Sequence, residues 1–124
     1  MSRLSILIPF VGNAPLLEET LVSVLENRPE QSEVLVILGH PYEDPYHLGD
    51  EVRFLQAPPR AGLVGCLNLG LRMSRADLFH VLACGTEVTE GWADQALGHF
   101  QDPQVACVAP VVVDSRTPGR VIAV

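Results

Sequence analysis

Leu4-Ser5-Ile6-Leu7-Ile8-Pro9, followed after a short break by Asn13-Ala14-Pro15-Leu16-Leu17, is the stretch whose reading decides the fold. The first half is a short apolar run closed by proline, with no polar alternation. Such a run suits a strand covered on both faces. In the second half Asn13 stands where a helix N-cap belongs, and Pro15 falls in the first turn, where proline is tolerated. Leu16, Leu17, Leu21, Val24 and Leu25 then recur at helical spacing, with Glu18 and Glu19 in early turns that favour acids. Asn27-Arg28-Pro29 closes the helix.

The same alternation continues outward from this unit. Glu33 to Leu38 reads as a second buried strand, and Gly39 to Asp50 as a loop with two prolines and two glycines. Val52 to Gln56 is a third, shorter strand. After Pro58-Pro59, Leu63, Leu67 and Leu71 give a helix ending near Ser74 or Arg75. Leu78 to Leu82 is a fourth strand, and Trp92 to Phe100 a third helix closed by Asp102-Pro103. Val105 to Val113, nearly continuous in valine and alanine, reads as a fifth strand. Thr117 to Val124 reads as a turn and a further strand. The predicted fold is α/β, a Rossmann-like three-layer sandwich with a mostly parallel central sheet. At 124 residues the chain suits a single domain over positions 1–124.

Bulk properties narrow the function. A hydrophobic share of 48% with 19% charged residues describes a globular chain rather than a disordered one. A net charge of −7 argues against a nucleic-acid partner, which would need a basic face. No apolar run reaches the roughly 18 to 20 residues that span a bilayer. The N-terminus lacks signal-peptide organisation, and Cys66, Cys84 and Cys107 have no metal-ligand spacing. Reduced core cysteines in a cytoplasmic protein are the expectation. There is no G-x-G-x-x-G and no P-loop.

In parallel sheets, ligands bind beyond the carboxyl ends of the strands. This directs attention to Pro9 to Asn13, Leu38 to Pro45, Pro59 to Gly62 and Ala83 to Glu87. These segments carry a resemblance. Ile8-Pro9-Phe10-Val11-Gly12-Asn13 is similar to the opening hydrophobic-I-P-x-x-N of the family 2 glycosyltransferases, which have the GT-A fold. Leu17-Glu18-Glu19-Thr20-Leu21-Val22-Ser23-Val24-Leu25 resembles their L-x-E-T-L-x-S-V-L helix. Arg60-Ala61-Gly62 and Asn68-Leu69-Gly70 stand where the family has R-N-x-G and N-x-G. Gly91-Trp92 and Phe100-Gln101-Asp102-Pro103 resemble later family segments. The resemblance runs from about residue 4 to 113 and rests on the order of motifs rather than on any single one.

It implies nucleotide-sugar-dependent glycosyl transfer, with Mg²⁺ or Mn²⁺ held by carboxylates. Two departures bear on that. The family's V-D-D-G-S is here Ile37-Leu38-Gly39-His40-Pro41, and its L-D-x-D is Leu82-Ala83-Cys84-Gly85. Hard cations need oxygen ligands, which alanine and glycine side chains lack, so no cofactor is expected. The tentative nucleotide-binding positions are Pro9, Phe10 and Asn13, then Gly39 and His40, then Arg60 and Gly62, then Cys84 and Gly85. No residue receives a catalytic or metal role. Arg60 suits a phosphate, and the loop from His40 to Glu51 gathers histidines and acids that suit a metal or a solvated surface equally. Tyr42 and Tyr46 suit either stacking on a base or covering the sheet edge, and His80 suits a satisfied core position. Family members continue well beyond the length of this chain, so it is truncated relative to them. Two classes stay open. One is a catalytically impaired transferase domain that keeps a nucleotide or nucleotide sugar as ligand. The other is an interaction or oligomerisation module, using Val111 to Val113 or Val121 to Val124 toward a second copy or a missing C-terminal half.

Overall fold

Period-free apolar strands need cover on both faces, and the two richest of them occupy the centre of the sheet. The computed structural model describes residues 3–117 and 119–123. Leu4–Phe10 forms β1, Ala14–Glu26 α1, Ser32–Leu38 β2, Arg53–Gln56 β3, Gly62–Met73 α2 and Leu78–Val81 β4. The sheet order is β3-β2-β1-β4, with every neighbouring pair parallel. All seven residues of β1 and all seven of β2 are buried. This is the α/β arrangement expected from the sequence.

Strand alternation divides the core into two layers. Leu7, Leu35 and Ile37 pack with Ala57 and with Cys66 of α2. At Gly70 a Cβ would lie 2.9 Å from Ile37 Cδ1, so glycine lets α2 descend onto the strands. The intervening residues Ile6, Ile8, Val34 and Val36 are equally buried. Right-handed crossovers put α1 and α2 on opposite faces, and α1 contributes Leu17, Leu21 and Val24 to the core. Asn13 caps α1 as expected: its Oδ1 accepts from Leu16 N at 3.2 Å. The first turn, however, holds no acid. Glu18 lies beyond it and accepts a hydrogen bond from Tyr42 Oη at 2.9 Å.

At the amino ends of the strands, Glu33 is the one charged residue buried in the core among the described residues. Its carboxylate accepts from Ser5 Oγ at 2.6 Å, from Arg53 Nη1 at 3.0 Å and from Arg75 N. Arg53 also donates to Met73 O, and Ser74 Oγ to Ser5 Oγ. The cluster ties the end of α2 to three strands.

One compact unit ends at Glu90, and a second runs from Gly91. The second contains α3, Asp94–His99, and two short strands, β5 at Val112–Val113 and β6 at Val121–Ala123, which pair antiparallel. The predicted turn and strand after Thr117 therefore form; Pro118 and Val124 lie outside the described residues. The predicted fifth strand does not form as drawn. Only Val112–Val113 adopts strand, and it pairs with β6 rather than with the parallel sheet. Pro110 interrupts the run and removes a ladder donor. Valine content signals strand propensity but names no partner. The third helix is also shorter than read, leaving Trp92 ahead of it. Cys66 is buried and Cys84 half-buried, whereas Cys107 is exposed, against the expectation of three core thiols.

Candidate functional site

Four chain segments leave the carboxyl edge of the parallel sheet, and their backbone bonds show which of them meet. Pro9 and Phe10 end β1 in register with Ile37 and Leu38 of β2. The pairing runs one residue further, with Gly39 N donating to Phe10 O at 2.8 Å. The half-buried Cys84 Sγ donates to Pro9 O at 3.4 Å. Pro9, Phe10, Gly39 and Cys84 therefore converge on the end of β1.

The resemblance aligns Gly39 with a family carboxylate, and the space its Cβ would take is crowded. A Cβ there would lie 3.0 Å from Phe10 O and 3.1 Å from Cys66 Sγ. Cys66 lies in the second turn of α2, so a side chain from that helix crowds the first carbon of any side chain at position 39. Burial pushes the thiols of Cys66 and Cys84 up from their ordinary value. Both are held protonated and neither is an activated nucleophile.

The second expected acidic position is set by α1. Gly85 has φ of 94°, and its amide donates to Thr20 Oγ1 at 2.8 Å and to Leu16 O at 3.1 Å. Leu16 is also the residue whose amide Asn13 caps, so Asn13 and Gly85 meet across one residue of α1. A Cβ at Gly85 would touch the Leu16 side chain at 3.4 Å. Three residues on, Val88 N donates to Ser23 Oγ at 3.1 Å, and Val88 O accepts from Asn27 Nδ2 at 3.3 Å. The sequence reading missed Thr20, Ser23 and Asn27. Their signal was available: polar residues at i, i+3 and i+7 share one helix face, and here that face is buried for Thr20 and Ser23.

The remaining expected positions stand apart. Arg60 is exposed in a left-handed conformation, φ 62°, just ahead of Gly62 at the start of α2. His40 is exposed beside Gly39. In the His40 to Glu51 loop, Asp44 Oδ1 accepts from Leu48 N at 2.8 Å, so this acid shapes its own turn. Among the described residues, no three of the His, Cys, Asp and Glu side chains come together to hold a metal. Tyr42 does not project outward as a free stacking platform. It packs between Phe10 at 5.5 Å and Phe54 at 5.9 Å, between ring centroids, and covers the sheet. Tyr46 is exposed. His80 is half-buried in β4, and burial lowers its pKa, so it is held neutral.

With this geometry in view, comparison with known proteins decides the family. Residues 5–122 match the profile of glycosyl transferase family 2. The chain belongs to that family. Polypeptide N-acetylgalactosaminyltransferase 12 of Mus musculus is 32% identical over 123 residues, which cover 90% of this chain and 21% of the relative. The pre-mycofactocin glycosyltransferase of Mycobacterium tuberculosis is 35% identical over 63 residues, 51% of this chain and 13% of the relative. The chain thus spans about a fifth or less of the length of these relatives. The crystal structure of S. aureus TarS 1–349 superposes with a TM-score of 0.67 at 13% identity, over 81% of this chain and 32% of that one, a likeness of fold.

The residues that the resemblance aligns with the family's acidic metal motif do not fit a hard divalent cation. Ala83 and Gly85 offer no side-chain oxygen, and Cys84 offers a protonated, soft thiol. Among the described residues, no helix is long and apolar enough to cross a membrane.

Proposed function

We propose that this family 2 domain is a nucleotide- or nucleotide-sugar-binding scaffold whose metal-assisted glycosyl transfer is impaired. The observation that carries this reading is the state of the carboxyl edge. The reading is supported by strand ends and loops that converge at this edge, by Cys66 crowding position 39, and by a left-handed glycine at position 85 whose amide is engaged by α1. Diphosphate charge then has Arg60 as its candidate partner instead of a chelated cation. The N-acetylgalactosaminyl transfer in the name of the murine relative makes UDP and its amino sugars the first ligands to try. Calorimetry with UDP, GDP and their sugars, each with and without Mn²⁺, tests the proposal. Binding of equal strength in both conditions supports it. Binding that needs Mn²⁺, or no heat with any of these ligands at millimolar concentration, overturns it.

A second reading, an interaction module, is favoured by one observation. Val111, Val113, Val121 and Ile122 of the second unit all lie at least half exposed, and contiguous apolar surface marks contact sites. Light scattering at high concentration tests it: a mass of one 13.5 kDa chain removes self-association from consideration.

A further inference from the structure

Loop 83–88 takes its shape from α1 rather than from its own side chains. We infer that Thr20 and Ser23 are positioning residues. Their hydroxyls lie on the buried face of α1 and hold the backbone of Gly85 and Val88, and so set the conformation of the loop that meets a ligand at the carboxyl edge. The part of this inference that concerns a ligand rests on the function proposed above.

The polarity of each bond supports the assignment. Ser23 Oγ donates its proton to Thr20 O at 2.9 Å, one turn back, so its lone pairs are left to accept from Val88 N at 3.1 Å. The hydroxyl is therefore oriented before the loop arrives. Thr20, fully buried, presents Oγ1 to Gly85 N at 2.8 Å. Asn27 extends the row, donating to Val88 O at 3.3 Å and, within its own helix, to Ser23 O at 2.9 Å. Helix interiors disfavour serine and threonine, which compete for backbone bonds, so two of them on a buried face require a partner that repays the desolvation. The loop's amide groups are that partner. Gly85 is the position that depends most on being held, because its φ of 94° is one that L side chains rarely adopt. With the Gly85 amide and the Val88 amide both engaged, the turn between them is fixed at two points: Thr86 N closes on Ala83 O at 3.1 Å, and Val88 is buried.

The test uses the full chain with two readouts, amide hydrogen exchange by ¹⁵N NMR and UDP titration. Ser23→Ala removes the acceptor of the Val88 amide, and Thr20→Val, close in shape, removes one of the two acceptors of the Gly85 amide. The expected result is faster exchange, by about fivefold or more at Val88 in the first variant and by a smaller factor at Gly85 in the second, with amides of β1 and β2 unchanged. Thr20→Ser, which keeps the hydroxyl, restores Gly85 protection to within about threefold of the parent. UDP affinity falls about tenfold in Thr20→Val and recovers in Thr20→Ser. Unaltered exchange at both amides in folded variants overturns the inference, as does accelerated exchange with unaltered UDP affinity. If the parent chain binds none of UDP, GDP or their sugars but exchange responds as expected, the positioning role stands and the nucleotide reading falls. The two failures are therefore distinguishable.

Discussion

The two ends of the parallel sheet treat carboxylates in opposite ways. At the amino end Glu33 is buried, with three donors on its two oxygens. At the carboxyl end, positions 39, 83 and 85 carry glycine, alanine and glycine, where family 2 relatives are expected to carry acids. The acid at the amino end ties strands and helix end together, whereas at the carboxyl end a thiol packs beside Gly39 and the Gly85 amide is held by α1. The difference sets a structural carboxylate at one end of the sheet against Gly39, Ala83 and Gly85 at the other. It also states where substitutions should cost most.

The largest effect belongs to Glu33. Removing the carboxylate in Glu33→Ala leaves Arg53, the Ser5 hydroxyl and the Arg75 amide without their acceptor. Stranding buried donors and one half of an ion pair costs about 2–4 kcal/mol, read as a lower urea midpoint with unchanged slope. The side-chain exposures, 27% for Arg53 and 11% for Glu33, leave some solvent screening and place the figure below that of a fully buried pair. Burial pushes the Glu33 carboxyl up, but hydrogen bonds from Ser5, Arg75 N and Arg53 outweigh it and hold the group below its ordinary 4.5. A depressed folded-state value means the stabilisation is present above about pH 4.5 and is lost as pH falls through the folded value. The stability of the parent chain therefore drops in that acid range. In Glu33→Gln the drop is shallower, and equal slopes for the two proteins would remove Glu33 from the account of acid sensitivity.

Next come attempts to return acids to the carboxyl end. Gly85→Asp asks an L residue to hold φ near 94° with its Cβ against Leu16. The expected cost is about 1–2 kcal/mol. Ala83→Asp, on an exposed residue, should fall within about 0.5 kcal/mol of the parent. Calorimetry on the double variant should then show no gain of tight Mn²⁺ binding, because the strained loop does not hold two carboxylates on one ion. Tight Mn²⁺ binding by a stable double variant would show that the carboxyl edge lost only its side chains and kept its geometry. A smaller effect is expected at Gly39→Ala, where the new Cβ meets Phe10 O and Cys66 Sγ at 3.0 and 3.1 Å. A cost of about 1 kcal/mol follows from the crowding. Combining it with Cys66→Ala, which vacates the thiol, should recover part of that cost as a favourable coupling of about 0.5 kcal/mol in a double-mutant cycle.

The sequence carried the central sheet because continuous runs such as Leu4 to Pro9 and Glu33 to Leu38 are decided by local composition. Asn13 was legible as a cap for the same reason. The second unit was less legible because pairing is not a local property: Val105 to Val113 has the composition of a strand, yet only two residues find a neighbour, and that neighbour is β6. At the site, the absence of acids was plain from Leu38-Gly39 and Ala83-Cys84-Gly85. What fills their places was not. Cys66 reaches Gly39 from 27 residues away, and Thr20 reaches Gly85 from 65 away. The first contact depends on the distance between α2 and the sheet, which Gly70 sets by its lack of a side chain, and the second on how α1 meets the 83–88 loop.

Tyr42 offers the finest probe of the comparison, because it belongs to the carboxyl-end loop yet is held as a core residue. Its ring is packed between Phe10 and Phe54, and its hydroxyl donates to Glu18 on α1 at 2.9 Å. Burial first, then the neighbouring Glu18 carboxylate, pushes the phenol well above its ordinary value of 10, so it remains a donor throughout the working range. Tyr42→Phe keeps the ring contacts and deletes one partly exposed hydrogen bond to a charged acceptor. The expected loss is about 0.5–1 kcal/mol by urea denaturation. Tyr42→Ala would lose the ring contacts as well, and a further loss of about 2 kcal/mol is expected. If Tyr42→Ala costs no more than Tyr42→Phe, the ring does not serve as core, and the loop belongs with the exposed carboxyl edge rather than with the sheet it covers. If the two differ as expected, the boundary between the packed sheet and its exposed carboxyl edge runs inside this loop, between Tyr42 and the exposed His40.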